Sequence, residues 1–196
     1  GSGCLGFRCK GGRGMNLREI KRKKLTEMTT DEILAERKLY EDVILNCKYE
    51  KPQDIADLFE AYTMLIWKHK QVGRVYDFYY DGLQEERDGG DNLEGSEHVV
   101  LDTLRALART PDLNVVFEEI HCVGDPENGF RFGQVVWNDA SSTDGIGPDG
   151  PGSGNGYEDR EDLEMCECWI QKIDGKWRVA KEASIRSNGA YRRVLG

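Results

Sequence analysis

At Pro111 the hydrophobic period of this chain changes, and that change decides its fold class. Before Pro111, apolar residues recur at the three-to-four spacing of a helix with one buried face. After it they alternate with polar ones, as on a strand with one buried side. TTDEILAERKLYEDVIL carries Ile33, Leu34, Leu39, Tyr40, Val43 and Ile44 in amphipathic rhythm, with Thr30 or Asp31 as the expected N-cap. KPQDIADLFEAYTMLIWK repeats the pattern with Ile55, Leu58, Phe59, Tyr62, Leu65 and Ile66. Gly73 then ends or breaks this helix ahead of an aromatic strand at Phe78 to Tyr80. EERDGGDNLEGSE reads as a loop, and Ser96 caps a third helix bearing Val100, Leu101, Leu104 and Leu107.

Beyond Pro111 four strands are expected, at Val115 to Val123, Phe130 to Trp137, Glu164 to Ile173 and Lys176 to Ile185. Asp174-Gly175 joins the last two as a tight hairpin, because glycine takes positive φ without steric cost. Helices followed by a mostly antiparallel meander make the α+β class: N-terminal helices packed on a curved sheet. Residues 1–14 are glycine-rich and read as a tag remnant or disordered leader. Residues 15–50 read as a helical extension and 51–196 as the main domain, with a long flexible Gly/Asp/Ser loop at about 138–163.

The 196 residues suffice for one domain with its own core. Residues 1–25 hold eight Lys and Arg against one Glu, or +7, which leaves −16 of the net −9 on the rest. An acidic body is the wrong surface for nucleic acid, and no apolar run has the length of a membrane span. The basic stretch Leu17 to Leu25 reads as a solvated helix face, with an RNA, acidic-partner or subunit contact as the alternative. With no secretory segment and no disulfide framework among six cysteines, a cytoplasmic location is expected. Cys166-x-Cys168 is read as presenting one thiol per strand face. His69 and His98 are expected at the surface. No metal site and no cofactor is expected from these spacings, and DGIGPDG lacks the acidic pattern of a calcium loop.

Four stretches carry a family likeness. IWKHKQVGRVYDFYYDG, EGSEHVVLDTLRAL, TPDLNVVFEEIHCVGD and IQKIDGKWRVAKEASIRSNGAYRRVLG together resemble the SnoaL-like branch of the nuclear transport factor 2-like superfamily, from about Leu58 onwards. The resemblance implies a sheet and helices that enclose a conical pocket. It also implies a small hydrophobic, carbonyl-bearing ligand and, in enzymatic members of the polyketide cyclase or ketosteroid isomerase type, acid/base chemistry. A homodimer is the implied assembly. The carboxylate that serves cyclases falls here on Ser187, and the segment preceding it on Lys181, Glu182 and Ala183. A serine hydroxyl is no substitute for a carboxylate as proton acceptor near neutral pH.

Other residues must then carry any catalysis. Glu119 and His121 are two apart on one expected strand and share a face, so they form an acid/base pair if that face is concave. If it is convex they simply meet water, while Val116, Ile120 and Cys122 face the core. Asp81, after two tyrosines, is either a pocket-mouth acid or a solvated loop carboxylate. Trp67, Tyr76, Tyr80, Phe132, Trp137 and Trp169, with Glu182 and Ser187, are the expected pocket lining. The other reading is a non-catalytic dimeric accessory or assembly protein.

Overall fold

A computed structural model of the chain describes residues 21, 23–87, 92–139, 146–147, 150–151 and 163–186. The expected leader, Ser187 and most of the 138–163 loop lie outside these residues. Helix α1 (Thr30–Asn46) is capped one residue earlier than expected, at Thr29. The Thr29 hydroxyl accepts from the Glu32 amide while the Glu32 carboxylate accepts from the Thr29 amide, so two otherwise orphaned donors are satisfied together. Helix α2 (Pro52–Thr63) starts with proline at its first turn, where no amide hydrogen is needed, and Asp54 accepts from the Glu50 and Lys51 amides. One π-helical stretch, Met64–Lys68, extends it. A 3-10 turn at Val72–Arg74 and the short helix α3 (Val75–Phe78) follow, so Phe78 is helical and the aromatic strand begins one residue later than expected.

The strands are β1 (Tyr79–Arg87), β2 (Asn92–Glu94), β3 (Asn114–Asp125), β4 (Gly129–Asp139), β5 (Ile146–Gly147), β6 (Gly150–Pro151), β7 (Leu163–Ile173) and β8 (Lys176–Arg186). Six of them hydrogen-bond in the order β2-β1-β8-β7-β4-β3, while β5 and β6 pair separately. Every neighbour in the main sheet is antiparallel except β1 and β8, which run parallel. Much of the segment expected as a charged loop is therefore a β1–β2 hairpin. Helix α4 (Ser96–Arg109) follows it, with Gly95 rather than Ser96 at the cap; a φ of 91° there suits glycine. The Asp174-Gly175 turn forms as expected, both residues having positive φ of 50° and 79°.

The helices cover one face of the sheet. Phe59 of α2 stacks on Phe132 of β4 at 3.9 Å between ring centroids, and Tyr62 stacks on Phe78 at 4.4 Å. Ile55, Leu58, Leu83, Ile170 and Val179 complete this core without solvent exposure. Beneath α1 lies a charged cluster: Lys68 Nζ and His69 Nε2 each lie 2.9 Å from Glu36, whose side chain is fully buried. His69 is thus interior, contrary to expectation, because it is a partner of that carboxylate. The described lysines of the basic segment before α1 are also partnered. Lys21 pairs with Glu60 and lies over the Tyr40 ring, Lys23 pairs with Glu32, and Lys24 pairs with Asp112. No described helix is long and apolar enough to cross a membrane.

Candidate functional site

The side-chain parity of the sheet follows from the Phe59–Phe132 stack. Phe132 faces the helices, so the cross-strand neighbours that share its side, Cys122 and Cys168, face inward, and Cys166 and Glu182 follow by register. At the β1–β8–β7 end this concave face turns polar. Cys166 and Cys168 are buried with their sulfurs 3.4 Å apart, and the Cys168 thiol donates to Glu182 Oε2 at 3.6 Å. A period of two places residues i and i+2 on one face, so the expectation of one thiol per face is wrong. The Tyr79 hydroxyl also hydrogen-bonds Glu182.

Burial, then the nearby Glu85 and Glu164 carboxylates, push the Glu182 carboxyl up to about 7. The same burial, with Glu182 beside it, holds the Tyr79 phenol well above its ordinary value. The Cys166 thiol is raised by its hydrogen bond to Cys168 and by burial, and burial lifts Cys168 to about 12. At neutral pH the group is thus two thiols, a phenol and a carboxyl poised between its two forms. Glu182 retains some solvent access, whereas both cysteines are buried.

A second network stands beside the first, since Glu85 of β1 is the direct neighbour of Glu182 on β8. Glu85 is buried, with one oxygen taken by Arg87 Nε at 2.6 Å and the other by His98 Nε2. Arg87 also pairs with Asp102 of α4 at 2.6 Å. His98 therefore points into the fold, contrary to expectation, because the β1–α4 packing offers it a carboxylate. Its Nδ1 lies 3.2 Å from the Glu94 carbonyl oxygen. Both ring nitrogens are thus engaged by oxygen atoms within the fold. Glu85 and His98 hold α4 to the sheet, and Glu182 stands beside them on β8.

The other expected residues fall elsewhere. Ile120 and Cys122 pack against the core, and Glu119 and His121 are exposed on the convex side, where the His121 ring covers Gly133. They share a face, as their spacing requires, but it is not the concave one. A bulge between Phe117 and Glu119 sets this parity by inserting Glu118 into the ladder. Asp81 is exposed and accepts from the Ser96 hydroxyl at 3.3 Å. Tyr76 and Tyr80 are exposed, Trp67 packs among core residues, and Phe132 is core. Trp137 and Trp169 share the outward parity, and Arg131 and Lys181 lie over Trp169 at 4.8 and 5.2 Å. Among the described residues of the expected pocket set, only Glu182 joins the concave polar cluster. Cys166, Cys168, Tyr79 and Glu85 were not singled out as site residues, although simple alternation along their strand offered the signal for the two cysteines. A shallow groove between α2 and β3 is lined by Gln53, Asp57, Glu60, Ile120, His121 and Cys122.

No family model matches the chain, and neither does any curated protein. Solved structures do match. An uncharacterised protein with a cystatin-like fold from Caulobacter vibrioides superposes with a TM-score of 0.53 at 15% identity, over 72% of this chain and 94% of that one. Aln2 from a Streptomyces species gives 0.52 at 11% identity, over 70% and 91%. The fold is nuclear transport factor 2-like. Yeast UBP3-associated protein BRE5 shares it, with a TM-score of 0.50 at 12% identity over 69% of this chain and 97% of that one. Identities this low fix the nuclear transport factor 2-like architecture and leave its use in this chain to the site.

Proposed function

We propose that the protein binds a small apolar carbonyl compound against its concave face and acts on it by acid/base chemistry through Glu182. The observation that carries this reading is the inward-facing Glu182 carboxyl, which accepts from the Cys168 thiol and is held by the Tyr79 hydroxyl. A carboxyl near 7 exists in both forms at neutral pH, so it can take a proton from the carbon beside a carbonyl and return it elsewhere on the same molecule. Phe59, Phe78 and Phe132 pack into the apolar core on the same side of the sheet. This is enolisation chemistry of the cyclase, isomerase or dehydratase type, with Glu182 replacing the acid that the family pattern would put at Ser187. Free thiols at Cys47, Cys122, Cys166 and Cys168 favour a reducing compartment, the cytoplasm.

The test is a thermal-shift screen of apolar ketones and aldehydes on chelator-treated protein, followed by proton–deuterium exchange at the α-carbon of any compound that binds. Glu182→Gln is expected to retain binding within a few-fold and to lose exchange. A screen without a hit, or exchange that persists in Glu182→Gln, overturns the reading.

A second reading, a dimeric accessory protein, is favoured by the convex face. Met165 and Ile185 are direct cross-strand neighbours there, 57% and 60% exposed. Leu163 and Val123 lie exposed on the same side. The exposed apolar patch of Leu163, Met165 and Ile185 at one end of β7 and β8 suits the same patch on a second copy.

A further inference from the structure

We propose that Cys166, Cys168 and Glu182 form a binding site for a thiophilic divalent cation of the zinc type; it engages the same Glu182 carboxyl that the acid/base reading uses, so the metal-bound form and the proton-transferring form exclude one another. One ligand atom from each residue lies within 4.8 Å of the other two. Tetrahedral zinc, with Zn–S of about 2.3 Å and Zn–O of about 2.0 Å, needs a sulfur–sulfur separation of about 3.8 Å and a sulfur–oxygen separation of about 3.5 Å. The chain presents 3.4 and 3.6 Å. The third edge, from the Cys166 sulfur to the Glu182 carboxylate, is within 4.8 Å.

The sheet preorganises this arrangement. Two ligands stand two residues apart on one face of β7, and the third is the direct cross-strand partner of Cys168 on β8. Ligands fixed on paired strands lose little freedom on binding, which is the usual advantage of building a site on regular elements. Two thiolates and a carboxylate select a soft, borderline cation over magnesium or calcium, which prefer all-oxygen shells. On binding, each thiol gives its proton to solvent and forms a metal–sulfur bond, with no change of oxidation state.

Two neighbours support the site from outside. The Tyr79 hydroxyl holds the Glu182 carboxyl, as outer-shell partners of ligating carboxylates do. Gln134 of β4 is the direct neighbour of Cys166 on the same inward face, and its buried Oε1 has no hydrogen-bond partner. Three protein ligands leave the fourth tetrahedral position to water, and an amide oxygen beside it is the acceptor that such a water requires. The plain alternative is that both cysteines act only as small buried hydrophobes.

The experiment uses the full chain carrying C4S, C9S, C47S and C122S, so that Cys166 and Cys168 are the sole thiols, with Co²⁺ as probe. One equivalent of Co²⁺ is expected to produce thiolate-to-cobalt charge-transfer absorption together with the visible bands of tetrahedral cobalt. Zn²⁺ should displace it stoichiometrically. Cys168→Ala should abolish the charge-transfer band, and Glu182→Gln should weaken affinity at least tenfold, each in protein whose circular dichroism is unchanged. Should a variant fail to fold, alkylation of the two thiols in the parent protein is the second readout, and Zn²⁺ is expected to slow it at least tenfold. No charge-transfer band at one equivalent, the same bands in Cys168→Ala, or alkylation indifferent to Zn²⁺ overturns the proposal. Carbonyl binding by chelator-treated protein is measured separately, so failure of the metal site and failure of the acid/base reading are told apart.

Discussion

At the scale of single residues, the chain buries charge in two places and handles it differently. Under α1, Glu36 faces Lys68 and His69 with both oxygens in use, which makes a closed structural cluster. Burial lowers the Lys68 ammonium from its ordinary value, while the hydrogen bond to Glu36 supports the charged form. Lys68→Met is therefore expected to destabilise the protein by about 3 kcal/mol or more, because it leaves a buried carboxylate without its main partner. Combining it with Glu36→Leu should recover most of that loss. Urea denaturation of the two variants checks both statements, and equal destabilisation of single and double variants would refute them. Glu182, by contrast, is held by neutral donors, the Cys168 thiol and the Tyr79 hydroxyl.

At the scale of elements, glycines show which turns are tightly built. Gly124 has a φ of 120°, and a Cβ there would meet the Gly129 carbonyl oxygen and the Phe130 backbone. Gly175 also has positive φ, at 79°, but nothing stands within 4 Å of where its Cβ would be. Gly175→Ala should cost about 1 kcal/mol from backbone strain alone. Gly124→Ala should cost clearly more, because the β3–β4 backbone must move as well. Chemical denaturation of the pair checks the ranking, and equal losses would refute it. The elements themselves were largely legible in the sequence. The period change at Pro111 separated helices from strands, and Asp174-Gly175 marked its hairpin. The ends were less legible, because Thr29, Gly95 and Phe78 owe their states to hydrogen bonds and packing that no local pattern displays. The site was legible only in part, for a related reason. Which face Glu119 and His121 occupy depends on one bulged residue, Glu118, and a bulge leaves no trace in hydrophobic alternation. Cys166 and Cys168 obeyed simple alternation, but their partner Glu182 comes from a neighbouring strand, and pairing is a property of the sheet.

At the scale of the whole molecule, the two faces of the sheet have different chemistry. The concave side is occupied by helices and the polar cluster, while the convex side carries Met165, Ile185, Leu163 and Val123 in the open. We expect the protein to be a dimer by light scattering, and Met165→Asp combined with Ile185→Asp to convert it to a monomer without loss of helix or strand content. A monomeric parent protein would sink that expectation.

The parallel pairing of β1 with β8 also sets a timetable. Glu85 and Glu182 are neighbours in space but roughly a hundred residues apart along the chain, so that contact is among the slowest kind to form. Strand β8 is tied to β7 by the two-residue Asp174-Gly175 turn, so their pairing is local and it is the joined hairpin that must find β1. The gap between the first strand and the seventh is therefore expected to close late, by docking of a β7–β8 hairpin on β1 rather than by threading of a single strand.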